Sequence, residues 1–96
     1  MRHSNAEQLG SIISQLIRQE GLETPLNQYR LIESWKEVMG EGIARYTGNL
    51  FIKNQTLFVQ IKSSVLKQDL SMSRGNLVKR LNEHVKAQVI TDITFY

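Results

Sequence analysis

The chain has 96 residues, no cysteine and a net charge of +3, enough for one domain but with little room for an enclosed catalytic cavity and its supporting shell. No disulfide or thiolate chemistry is available, no apolar run is longer than four residues against the roughly 20 that span a bilayer, and no signal-peptide core follows residues 1–6, so a soluble cytoplasmic protein without membrane contact is expected. Charge is uneven: residues 1–48 carry five basic and six acidic side chains and residues 49–96 seven and three, which makes the second half the candidate surface for a polyanion.

Residues 1–5 are expected to be disordered. From residue 6 to residue 19, Leu9, Ile12, Ile13, Leu16 and Ile17 share one helical face and predict a first helix packed as core. Gly10 lies inside it, Ser4 or Asn5 can cap it, and Gly21 ends it. Thr24 is suited to cap a second helix with Pro25 at its first position. That helix carries Leu26, Tyr29, Ile32, Trp35 and Val38 or Met39 at intervals of three or four, with Trp35 as a core anchor whose N–H needs a partner. Gly40 stops it, a further helical turn covers 41–46, and Thr47-Gly48-Asn49 turns the chain into a sheet.

Apolar and polar residues then alternate over 50–54 and 56–62, predicting a hairpin with Asn54-Gln55 as its turn. Leu50, Ile52, Leu57, Val59 and Ile61 form the inward face, and Phe51, Phe58, Gln60, Lys53 and Lys62 the other. Rings beside ammonium groups suit a single-stranded nucleic acid, since bases stack on rings while lysines meet phosphates. Ser63 or Ser64 caps one long helix in which Leu66, Leu70, Leu77 and Leu81 form the buried stripe, with Ser73 allowing close approach to the sheet and Gly75 marking a bend or a close contact. Lys67 and Arg74 border that stripe and Lys79 points outward. A last strand over 89–96 places Val89, Thr91, Ile93 and Phe95 on one face and Ile90, Asp92, Thr94 and Tyr96 on the other, parallel to the hairpin's second strand. At a sheet edge it could pair with a second copy as a weak homodimer.

The expected architecture is a single α+β domain, helix-helix-strand-strand-helix-strand, with a three-stranded sheet backed by a long helix. This order resembles KH domains of the second topological type. Their Gly-x-x-Gly loop is absent, and Gly40-Glu41-Gly42 has neither its spacing nor its position. No phosphate-binding glycine loop, zinc cluster or nucleophile elbow is present. Glu33, Glu37 and Glu41 read as a solvated helix flank, and His84 has no sequence neighbour that would make it a base. No enzyme activity, cofactor or metal is expected.

Trp35-x-x-Val38-Met39-Gly40-x-x-Ile43-Ala44-x-x-Thr47, then Leu57-x-Val59-x-x-x-Ser63-x-x-x-x-x-Leu70, Leu77-x-x-x-Leu81-Asn82 and Ile93-x-Phe95, together resemble the DciA family. The resemblance runs from about Leu9 to the end of the chain. It implies a bacterial KH-like domain that assists the replicative DNA helicase and binds single-stranded or forked DNA weakly, with no nucleotide hydrolysis of its own. It further implies that Trp35 and Gly40 hold the fold while Lys53, Lys62, Lys67 and Arg74 contact DNA, to which the sequence pattern adds Lys79, Phe51 and Phe58. Many relatives carry a second tryptophan where this chain has Val65, and others a longer basic extension, so DNA affinity is expected to be low or the role confined to a protein contact. An RNA-associated KH-like module and a purely protein-binding adaptor are the alternatives.

Overall fold

The computed structural model describes Ile13 and residues 23–96. In chain order these form α1 (Glu23–Met39), the short α2 (Glu41–Ala44), β1 (Thr47–Lys53), β2 (Thr56–Ile61), α3 (Ser64–Ser71), α4 (Arg74–Val85) and β3 (Asp92–Phe95). The first predicted helix, its caps and the expected disorder of residues 1–5 lie outside the described residues, apart from Ile13. That residue is helical, but it is 48% exposed where a core position was expected.

The sheet has the order β1-β2-β3, with β1 and β2 antiparallel and β2 and β3 parallel, so β3 is an edge strand as expected. The helical layer covers one sheet face. The core between them contains Leu31, Trp35, Leu57, Val59, Ile61, Leu70, Leu77, Leu81, Val85, Ile90 and Ile93. Burying one such side chain is worth roughly 1.5–3 kcal/mol, so this cluster carries most of the driving force for the layer.

In α1 the buried stripe is shifted from the predicted one. Leu31, Ser34 and Trp35 are buried and Ile32, Val38 and Met39 are half-buried, whereas Leu26 and Tyr29 are exposed. Leu31, Trp35 and Val38, spaced by four and three, form the stripe that meets α4 and the sheet, leaving the first turns beyond the packed body. Ser34 enters the buried row because its Oγ donates to the Leu31 carbonyl at 2.7 Å. Thr24 is helical rather than a flanking cap, and Pro25 lies in the first described turn, where its missing N–H costs little. Gly40 ends α1 at φ 87°, a conformation a side chain rarely adopts, and its carbonyl accepts the Ala44 N–H at 3.0 Å to begin α2.

Thr47-Gly48-Asn49 belongs to β1 rather than to a turn before it. A bulge between Thr47 and Leu50 takes up the irregularity, and the Gln60 side chain occupies the space that a Gly48 side chain would need. Asn54 and Gln55 close the hairpin at φ 51° and 60°, the positive pair of a two-residue primed turn, without the glycine usual there. The Gln55 carbonyl is fixed by the Thr91 N–H at 2.7 Å, which ties the turn to the approach of β3.

The single long helix becomes two. Ser63 caps α3, its Oγ accepting the Leu66 N–H at 3.2 Å. Ser71 Oγ then competes for the Lys67 carbonyl at 2.8 Å, the helix tightens into a Ser73 N–H to Leu70 carbonyl bond of 3.0 Å, and Ser73 leaves helical geometry. The break therefore precedes Gly75, which has no close neighbour and lies in the first turn of α4, and Ser73 is exposed rather than set against the sheet. The last strand is shorter than predicted. Ile90 and Ile93 are both buried, so strict alternation begins only at Asp92.

Candidate nucleic-acid interface

Alternation along the strands divides the sheet's side chains cleanly. With Leu57, Val59, Ile61 and Ile93 in the core, Thr56, Phe58 and Gln60 of β2 face away from the helices, as do Phe51 and Lys53 of β1 and Asp92 and Thr94 of β3. Tyr96 continues the β3 ladder, donating its N–H to the Val59 carbonyl at 2.9 Å and accepting the Ile61 N–H at 2.8 Å. It joins the outward set by the same alternation.

The register sets Phe51 opposite Phe58, and their rings stack at 4.7 Å with an interplanar angle of 7°. Tyr96 meets Phe51 edge-on at 6.2 Å. Phe51 and Tyr96 are each 42% exposed, whereas Phe58 is half-buried behind its partner. Gln60 lies low on this surface because its Oε1 accepts the Asn49 N–H at 3.0 Å across the bulge. At one end the Lys62 N–H donates to the Tyr46 carbonyl at 2.8 Å, which brings exposed Tyr46 and Lys62 together. At the other end Lys53 is paired with Thr56 beside the hairpin turn. At about 3.3 Å per residue, the two lysines stand roughly 20 Å apart along the strands.

Among the described residues of the three strands, the carboxylate on this face is Asp92. Its Oδ1 accepts the Ile93 N–H at 2.8 Å and lies 3.9 Å from the Nε of Arg74, which reaches the sheet edge from α4.

The remaining predicted contacts are in the helical layer. Lys67 is half-buried in α3, Arg74 opens α4 beside Asp92, and Lys79 is exposed on α4. Lys79 lines a groove of about 630 Å³ with Arg80 and Glu83 on its rim and Val38, Met39, Ile43, Leu70 and Leu77 among its apolar walls. Arg80 is partly committed, donating from Nη2 to the Val38 carbonyl at the end of α1, 3.0 Å away. The positive side chains of the second half are thus divided between the strands and the helices. Phe51, Phe58 and Lys53 lie on the open sheet face with Lys62 one residue past the end of β2, whereas Lys67, Arg74 and Lys79 are carried by α3 and α4, Arg74 reaching Asp92 at the edge of the sheet.

Beneath this face Trp35 ties the sheet to α1. Its Nε1–H donates to Thr47 Oγ1 at 3.0 Å, Thr47 Oγ1 donates to the Ile43 carbonyl at 2.9 Å, and the indole meets Phe95 at 6.2 Å. One side chain therefore contacts both edge strands and positions the surface on their far side. Sequence reasoning missed Tyr96 as a companion of Phe51. For Tyr96 the signal was available in the alternation of residues 92, 94 and 96, but it required knowing that β3 docks on β2 and not on β1.

His84 Nε2 finds Glu37 Oε2 at 3.1 Å, 47 residues away in sequence, in an exposed pair that links α4 to α1. Among the described residues no group of three histidines or carboxylates could hold a metal ion, and no helix is long and apolar enough to cross a membrane.

No curated protein matches the chain. A family model described as "Dna[CI] antecedent, DciA" matches residues 8–95, a span that includes every described strand and helix. That family comprises non-enzymatic DNA-replication accessory proteins associated with the replicative helicase and its loading. With the fold's tryptophan anchor, strand-serine-helix step and closing strand all inside the matched span, the chain belongs to the DciA family.

Proposed function

We propose that this protein works in the bacterial cytoplasm as a non-enzymatic accessory of the replicative DNA helicase, binding the helicase directly and holding single-stranded or forked DNA weakly. The match to the DciA family over residues 8–95 carries the reading. The excess of seven basic over three acidic residues in 49–96 supports its DNA half, and the element order supports the comparison with KH domains. Lys53, Lys62, Lys67, Arg74, Lys79, Phe51 and Phe58 are the candidates among which the DNA contacts are to be sought.

Co-purification of tagged protein with the replicative helicase of the same organism tests the central claim. Retention of the helicase through a wash at moderate salt is the expected result. Failure to retain it at any salt would refute the helicase association and leave only the fold.

A further inference from the structure

The geometry points to the open face of the sheet as a stacking platform for the bases of a single-stranded nucleic acid, with Phe51 and Tyr96 as the contacting rings and Lys53 and Lys62 holding the backbone at the two ends. This deepens the DNA half of the proposed function and rests on it. It narrows the seven sequence-derived candidates to those the fold brings onto one surface.

Three features of that surface fit a single strand. Phe51 and Tyr96 leave substantial ring area open on a sheet face that carries polar groups between them. Water does not hydrogen-bond to such faces well, whereas an unpaired base can cover them whatever its identity. Next, the cations stand at the ends of the aromatic patch, where a strand crossing it would present phosphates, and the carboxylate of Asp92 is turned toward Ile93 and Arg74. Finally, the face is a shallow sheet rather than a protruding helix or ribbon. It can meet splayed bases, but it offers nothing that enters a duplex groove, and paired bases keep their faces stacked out of reach.

The structure also separates contact from support. Phe58 is half-buried and stacked in parallel behind Phe51, so it is a positioning residue that keeps the Phe51 ring upright. Gln60, tied to Asn49, keeps the middle of the surface low so that a strand can pass from Tyr46 and Lys62 toward Lys53.

Fluorescence anisotropy with a labelled oligothymidylate and a labelled hairpin duplex at low salt tests this. Base–aromatic stacking is worth about 1–3 kcal/mol per base, which corresponds to roughly 5- to 150-fold. Phe51→Ala and Tyr96→Ala should each weaken single-strand binding about tenfold. Phe51→Leu, which keeps the strand's apolar bulk without the ring, should weaken it similarly while the protein stays fully folded at the temperature of the assay, as its melting curve shows. Lys79→Glu and Lys67→Glu should leave it within about twofold, and the duplex should bind more weakly than the single strand. Ring variants that bind like the parent overturn the proposal, as does a Lys79→Glu loss equal to that of Phe51→Ala. Failure of the parent protein to bind single strands at low salt also overturns it, and helicase co-purification would then show whether the accessory reading survives alone.

Discussion

At the scale of single residues, the decisive positions are polar groups inside an otherwise apolar layer. Trp35 was legible as an anchor because a lone tryptophan in an amphipathic stripe must be buried, but its partner Thr47 was read as part of a turn. Thr47→Val removes the acceptor for the indole N–H while keeping the shape of the side chain, and should cost about 1–3 kcal/mol in urea denaturation. Asn82 was legible only as one position of a family pattern. Its Oδ1 accepts the N–H groups of Val89 and Ile90 at 3.0 and 3.1 Å, and its Nδ2 donates to the Ile90 carbonyl at 2.8 Å. Asn82→Leu fills similar volume but orphans these groups, and a loss of roughly 2–4 kcal/mol is expected in the same assay. Single-sequence reasoning favours apolar residues for burial, so a buried amide that clips a loop gives no periodic signal.

At the scale of elements, local chemistry succeeded where one element decides its own geometry. Ser63 caps α3 and the two-residue hairpin forms at Asn54-Gln55 because both depend on residues within a few positions. The turn retains strain, since Gln55 holds φ 60° without being glycine. Relieving that strain is worth about 1–2 kcal/mol and the added backbone entropy of glycine costs roughly 0.5–1, so Gln55→Gly should stabilise the protein by about 0.5–1 kcal/mol. The Thr91 contact that reads the turn is to its backbone and should persist, so a fall in melting temperature would contradict this account of the turn. The division between α3 and α4 was not legible. Gly75 drew attention as the weakest helix former, while the break arises two residues earlier, where Ser71 back-bonds and Ser73 departs from helical angles.

At the scale of the whole molecule, the second half's positive charge is divided between two layers. The difference has a measurable consequence in salt. Each phosphate neutralised on a single strand contributes about −0.7 to the slope of log K against log salt, so Lys53 and Lys62 alone predict a slope near −1.4. Contact by Lys67, Arg74 and Lys79 as well would bring it to about −3.5. Titrations at three or four salt concentrations distinguish these values. A slope at the steeper end would place the strand across both layers.

The sequence by itself determined the α+β class, the inward and outward faces of the hairpin, the tryptophan anchor and the family, because periods of two and about 3.6, capping and glycine stops act over a few residues. Only the tertiary structure decided which cations share a surface with Phe51, that Tyr96 joins it, and that Ile90 and Asn82 seal the approach to β3. Those outcomes depend on how a helix is rotated over a sheet and on which strand β3 joins. Both are set by packing among residues far apart in the chain, and periodicity along the chain carries no record of them.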